Sequence, residues 1–409
     1  MTIFDDAVRS LLDKYASLSY EPPHNQFTVL AAFFLYLPDS STHKVISLAT
    51  GTKCLPTVKL PTRGEALHDS HAEVVARRAA VRWFLEEIGR CHDSQSSEWI
   101  TWNSERRRYS LHAGVQLNLY ISTLPCKAGG DASTRFLAAT QDDEMARLKD
   151  SAPTPPSLDL PAPAPPLTIS RGRDGYSLLG VLRTKPGRAD SPATICMSCS
   201  DKIASWNVHG IQGALGSLVL EPLYINTVII GEVLNPDRVD DLRRVVEEDC
   251  VRGLWARVAD VNKDLPDGFS VHKPTIHFTS IPFVHSRTEL TKLTPDTGPT
   301  NESLCWVAER STHEVLINGL KRGVSPKHRF RNKSRPLVCK YSMYQLVHET
   351  LIRLAHPGQN RSLTYFEFKR EPEQYQKAKD ILRGPSSPFS GWLKSGIKWE
   401  GFDLEGQLS

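Results

Sequence analysis

The sequence predicts an α/β fold, and two observations carry that expectation. Short apolar runs rich in β-branched and aromatic residues alternate with stretches of helical periodicity. The 409 residues, 40% of them hydrophobic and 23% charged, are enough to bury one sizeable core. Residues 5–18 set Val8, Leu11, Leu12 and Tyr15 at helical spacing and predict an amphipathic helix. Residues 27–36 and 43–49 read as two strands, joined across the turn signal Pro38-Asp39-Ser40-Ser41. A helix is expected from about His71 to Ile88, with Val74, Val81, Leu85 and Ile88 as its apolar stripe. Residues 116–123 alternate and predict a strand that ends just before Pro125-Cys126. Residues 223–231 predict a further strand, and residues 341–354 and about 371–383 two more helices.

The bulk charge excludes little. Fifty basic residues stand against 46 acidic ones, a net charge of +4, which is too small to argue for a nucleic-acid partner without local clustering. No run approaches the ~18 continuous apolar residues of a membrane span. The start, Thr2-Ile3-Phe4-Asp5-Asp6, lacks the charged and apolar regions of a secretory signal. The expectation is an intracellular chain, nuclear or cytoplasmic and not secreted, whose eight cysteines are thiols or metal ligands rather than disulfides. Residues 92–109 are polar and read as an insertion. Residues 151–166, Pro/Ala-rich, predict a disordered or extended loop. Metal-ligand candidates lie on both sides of that loop, so it is expected to leave and rejoin one domain spanning residues 1–409. No internal repeat is present.

Three short motifs carry chemistry. His71-Ala72-Glu73 opens a predicted helix, where Glu73 suits the positive end of the helix dipole. His-x-Glu alone is common by chance, and the bland reading is a capping histidine and a dipole charge. Pro125-Cys126 closes a predicted strand, and Cys196-Met197-Ser198-Cys199 offers two further thiols. One histidine and two cysteines make a tetrahedral zinc site with a fourth position open to water. A non-ligand glutamate beside such a site is the pattern of the zinc base deaminases. Their second cysteine normally follows the first as Cys-x-x-Cys, but position 129 is Gly, so the third ligand must be Cys196 or Cys199. A purely structural zinc site is the rival, weakened by the absence of a second Cys-x-x-Cys. Zinc lowers the pKa of bound water from ~15.7 to about 7. Glu73 would move the protons. Spacing leaves adenine and cytosine both open as targets.

At this point the chain resembles the eukaryotic tRNA-specific adenosine deaminases, which share a catalytic domain with the double-stranded-RNA editing adenosine deaminases. The resemblance rests on Gly51-Thr52-Lys53-Cys54, on Leu67-His68-Asp69-Ser70-His71-Ala72-Glu73-Val74-Val75-Ala76-Arg77-Arg78, and on Leu124-Pro125-Cys126 with Gly130-Asp131-Ala132. It rests further on Met197 to Asn207, continuing to Gly210-Ile211-Gln212-Gly213-Ala214-Leu215. It implies a cytidine-deaminase-like core, a mixed sheet flanked by helices, enlarged into one adenosine deaminase domain. It selects Cys199 over Cys196 beside His71 and Cys126, with Glu73 catalytic. It also implies a buried inositol hexakisphosphate held by Arg77, Arg78, Lys202, Lys340, Tyr365, Lys369, Tyr375, Lys379 and, less closely matched, Trp399. Asp69 and Lys202 would link that polyanion toward the zinc, and Thr52 and Lys53 would contact the target nucleotide. Three positions depart from the family pattern. Ser205 stands where the editing enzymes have a basic polyanion contact, Ala214 where they have a hydroxyl, and His68 replaces an asparagine. Fewer ligands for the polyanion are therefore expected. Lys127-Ala128-Gly129 and the Pro-rich insertion interrupt the loop after Cys126.

Residues 321–340 hold eight basic residues and no acid: Lys321, Arg322, Lys327, Arg329, Arg331, Lys333, Arg335 and Lys340. A solvated face, an RNA backbone footprint and burial around a polyanion compete as explanations. Lys340 follows the apolar run Pro336-Leu337-Val338-Cys339 and needs an internal partner. Without the family, Lys369 and Lys379 read as ordinary snorkelling lysines. The resemblance implies deamination of the adenosine 3′ of the anticodon in tRNA-Ala, with tRNA as partner, no membrane and no obligate protein partner. The alternatives are editing of double-stranded RNA, a catalytically inactive RNA-binding protein, and a free-nucleoside deaminase. Intact Glu73 argues against the second, and the basic C-terminal third against the last.

Overall fold

Leu30–Leu37 (β1) is an eight-residue run without a charge, buried up to its last residue, as expected of a strand covered on both faces. Thr42–Thr50 (β2) pairs antiparallel with it, a bulge falling at Phe33/Phe34. On the other side of β1 lies Gln116–Ile121 (β3), also antiparallel, with Ala31 opposite Ile121. The sheet continues through Thr227–Ile230 (β4), Thr275–Phe278 (β5), Glu302–Val307 (β6), Glu314–Ile317 (β7) and Leu320–Lys321 (β8). Its order is β5-β4-β3-β1-β2-β6-β7-β8. The β3–β4–β5 side is parallel and the β1–β2–β6–β7–β8 side antiparallel, so the sheet is mixed. The computed structural model describes residues 3–93, 96–125, 169–172, 178–185, 191–231, 239–358 and 360–408. The Pro-rich insertion at 151–166 and Cys126 lie outside these residues.

The predicted α/β class is observed. Asp5–Ser17 (α1) buries Ala7, Val8, Leu11 and Tyr15 against the sheet. Ala72–His92 (α2) begins where expected, but its burial is not a stripe: Ala72, Ala76, Ala79, Ala80, Trp83, Phe84 and Ile88 are all buried, and Val74 is only half-buried. The helix is covered on several sides, which erases the 3.6-residue contrast that sequence reading relies on. Its alanines allow close approach to the sheet, and Ser47 Oγ donates to the Ala76 carbonyl at 2.9 Å. Cys199–His209 (α3) is capped by Ser198, whose hydroxyl accepts from the Asp201 amide at 3.1 Å. Val239–Leu254 (α4), Lys340–Arg353 (α5) and Glu373–Arg383 (α6) complete the longer helices.

Within residues 92–109, the expected polar insertion, Ile100–Asn103 and Arg108–Leu111 pair as a hairpin. Trp99, Ile100 and Tyr109 are buried, and these three anchor an otherwise charged segment. A second, smaller core joins Leu182, Met197, Ala204, Val208, Val258, Val261, Leu382 and Phe389. It fixes α6 against α3, while α5 packs on α2. Among the described residues no helix is long and apolar enough to cross a membrane, and their seven cysteines are free.

Candidate active site

The first turn of α2 and the first turn of α3 meet through one carboxylate. His71 is the N-cap of α2, and its imidazole Nδ1–H donates to Asp69 Oδ1 at 2.8 Å, since a carboxylate can only accept. That bond leaves Nε2 as the free, lone-pair nitrogen, the arrangement seen in metal-ligating histidines. Burial and the nearby Lys185 charge hold the imidazole pKa down, against the opposing pull of Asp69, so the ring is neutral. Asp69 Oδ2 accepts from Lys185 Nζ at 2.9 Å and also pairs with Lys202. Burial works against the Asp69 charge, but Lys185, Lys202 and His71 hold its pKa well below the usual carboxylate range. Lys185 in turn donates to Cys199 Sγ at 3.1 Å. Cys199, the first residue of α3, is fully buried. An ammonium at that distance suits a thiolate.

Glu73 is 3% exposed in the first turn of α2, close enough to His71 to favour its protonated form electrostatically. Cys196 sits in a different environment. Its sulfur lies 3.9 Å from the His68 carbonyl oxygen, with the Cys54 thiol as an electrostatic neighbour. Among the described residues no group of three His, Cys, Asp or Glu stands together as a metal site. His71 and Cys199 supply two donors, and the expected third, Cys126, lies outside the described residues. The two donors fit zinc by type: a neutral imidazole oriented by a carboxylate, and a sulfur beside a cation.

Thr52 and Lys53 lie half-buried in the loop that packs on the start of α2. The Ala72 amide donates to the Gly51 carbonyl at 3.0 Å, and the Ser70 amide to the Lys53 carbonyl at 2.9 Å. Gly51 has φ +141°, and a Cβ there would stand 2.0 Å from the Ser70 carbonyl oxygen, so only glycine lets this loop touch the helix start.

Behind these residues lies a second polar centre, enclosed by α2, α3, α5 and α6. Arg77 Nε donates to the Ile211 carbonyl at 2.5 Å, and Arg78 to the Val338 carbonyl. Lys340 pairs with Glu400 at 2.8 Å, and Lys369 pairs with the same carboxylate. Burial opposes the Glu400 charge, yet these two lysines hold its pKa at about 2. Among the described residues Arg77, Arg78, Lys379 and Arg383 have no carboxylate within ion-pair distance. Burial and neighbouring positive charge push Lys379 down to about 7 and Arg383 to about 10. Burial pulls Lys340 down to about 8 in spite of Glu400. Tyr365 and Tyr375 belong to the same cluster, their hydroxyls pushed up by burial. Trp399 is half-buried beside Glu400.

Two like charges ~7 Å apart repel by about 2 kcal/mol even at an effective dielectric near 20. Six basic side chains share one paired carboxylate, an arrangement that an anion of high charge would stabilise. His68 Nε2 and Arg383 Nε are buried with no protein hydrogen-bond partner. His68 borders Lys340, Arg78 and Lys202, and burial with these charges keeps its pKa well below the normal value. The donor set fits a polyphosphate.

Sequence reasoning did not find Lys185, Arg383 or Glu400. Lys185 is a lone lysine with no motif around it. Arg383 had a signal, because Lys379 and Arg383 are like charges at i,i+4 on one helix, an arrangement that costs stability unless something neutralises it.

A mixed sheet that brings a buried His-x-Glu helix start and a cysteine-led helix start to one aspartate defines an enzyme of the base-deaminase class. The comparisons with known proteins make this specific: the chain belongs to the adenosine-deaminase (editase) domain family, which matches residues 47–395, and it is an adenosine deaminase. It is 28% identical over 381 residues to tRNA-specific adenosine deaminase 1 of Schizosaccharomyces pombe, covering 91% of this chain and 88% of that protein. It is likewise 28% identical over 397 residues to tRNA-specific adenosine deaminase 1 of Drosophila melanogaster, with 91% and 88% covered. Similarity to the double-stranded RNA-specific editase Adar of Drosophila melanogaster reaches 30% over 237 residues, 57% of this chain and 32% of that protein.

Proposed function

We propose that this enzyme hydrolyses adenosine in tRNA to inosine and ammonia, at the adenosine 3′ of the anticodon in tRNA-Ala. The observation that carries the reading is the buried Glu73 two residues from His71, at a helix start tied through Asp69 and Lys185 to Cys199. His71, Cys126 and Cys199 would hold a zinc ion, which when bound supplies a water acidic enough to ionise near neutral pH. Glu73 accepts the proton of the attacking water, passes it to the ring nitrogen as C6 becomes tetrahedral, and delivers a proton to the departing amine. Asp69 orients His71, and Lys185 holds Asp69 and Cys199 in register. Thr52 and Lys53 flank this point and would position the nucleotide.

The second centre would hold inositol hexakisphosphate through Arg77, Arg78, Lys202, Lys340, Tyr365, Lys369, Tyr375, Lys379 and Trp399. It would neutralise charge that the fold otherwise leaves unbalanced, and Lys202 would tie it to Asp69. A cytidine-deaminase-like core accounts for the β1–β2 hairpin, the parallel β3–β4–β5 edge and the two helices α2 and α3. One domain over residues 1–409 follows from a site whose parts flank the insertion. Lys327, Arg331 and Lys333 are exposed around the half-exposed Phe330, a surface suited to RNA phosphates.

The test is inosine mapping by sequencing, after incubating the purified protein with total tRNA and with a long RNA duplex side by side. Inosine should form in tRNA, 3′ of the tRNA-Ala anticodon, and not in the duplex. Inosine in the duplex alone would replace this reading with double-stranded-RNA editing, and none in either would remove the proposed substrate.

A further inference from the structure

We propose that Arg383, reaching in from α6, supplies the polyanion contact that the basic residue at the position of Ser205 supplies in the editing enzymes. The proposal rests on the polyanion reading above. Ser205 is fully buried on α3 and too short to touch a ligand with charge. Its hydroxyl instead accepts from an Arg383 terminal nitrogen at 2.6 Å. The same hydroxyl lies 2.8 Å from His209 Nε2, and His209 Nδ1 lies 3.2 Å from the Tyr375 hydroxyl. Serine, histidine and tyrosine thus form the wall on which the guanidinium rests.

The other features of Arg383 suit it to an anion. Its guanidinium lies 3.7 Å from the centroid of the Trp392 ring, which fixes its plane. Its Nε–H is buried and unpartnered, and no carboxylate among the described residues lies within ion-pair distance. Arg77 and Lys379 add like charge around it. A guanidinium carries five N–H donors in a fixed fork; the serine hydroxyl engages one terminal nitrogen, and Nε–H is left buried without a partner. Phosphate oxygens match that fork, often in pairs. The small side chain at 205 is what leaves space for the guanidinium. The expected loss of a ligand at Ser205 is therefore a relocation, from one face of α3 to the neighbouring turn of α6.

The test compares the wild type, Arg383→Ala, Ser205→Arg and the double variant Ser205→Arg/Arg383→Ala. Inositol hexakisphosphate released on denaturation is measured by mass spectrometry, before and after prolonged dialysis of the folded protein. Arg383→Ala should lose the ligand about tenfold faster than the wild type, the effect of one charge-assisted contact. The double variant should recover retention, and Ser205→Arg alone should not improve it. Wild-type retention in Arg383→Ala, with the wild type loaded, overturns the role of Arg383 and leaves the polyanion in place. A wild type that releases no inositol phosphate removes the polyanion itself, and this proposal with it. If Arg383→Ala yields no folded protein, the double variant decides: folded and loaded supports the relocation, unfolded contradicts it.

Discussion

Glu73→Gln will lower the rate of inosine formation by about 10²–10⁴-fold, the range that a positioned acid–base group contributes, and will leave bound zinc unchanged. Glutamine keeps the shape and hydrogen-bonding reach of the side chain but cannot take a proton from water. Glu73 is 3% exposed, and it lies in the first turn of α2, so the substitution removes a charge from the positive end of the helix without opening a cavity. The effect should therefore fall on the single-turnover rate rather than on folding or tRNA binding. Single-turnover kinetics on tRNA, with zinc per chain measured on the same sample, check this. A rate within about tenfold of wild type would take Glu73 out of the proton path.

Cys199→Ala will cost the protein its zinc and with it all measurable deamination, whereas Cys196→Ala will keep both. The two thiols are three residues apart, and their surroundings separate them. Cys199 touches Lys185, which is bound to the aspartate that orients His71. Cys196 faces the His68 carbonyl, beside the Cys54 thiol. Removing the Cys199 sulfur leaves Lys185 paired with Asp69, so α3 should remain folded. Metal analysis of both purified variants decides the assignment, and zinc lost from Cys196→Ala but kept by Cys199→Ala would reverse it.

How much of this was legible in the sequence depends on how local each feature is. His71 and Glu73 are two residues apart at a helix start, and Cys199 follows its own cap Ser198, so motif and element coincide. The hairpin β1–β2 was legible because Pro38-Asp39-Ser40-Ser41 separates two apolar runs. β5, β6 and β7 were not. β5 is only four residues long and partly exposed, and β6 is buried throughout and has no alternation to read. The stripe assigned to α2 failed at Val74 because the helix is buried on several faces. The polar centre was the least local feature. Its cations come from α2, α5, α6 and the segment after Tyr365, and its one paired carboxylate, Glu400, is 60 residues from Lys340. Only the family resemblance gathered most of its members. Arg383 and Lys185 were gathered by neither, because each acts through a partner far away in sequence, Ser205 in one case and Asp69 in the other.

The proposed function places two linked centres in one chain, a catalytic metal and a buried polyanion, joined by Lys202, Asp69 and Lys185. Native mass spectrometry of the protein as isolated reads both ligands in one measurement. The predicted mass is that of the polypeptide with one zinc ion and one inositol hexakisphosphate, both lost together on denaturation. A bare polypeptide that nevertheless converts adenosine in tRNA to inosine would contradict it.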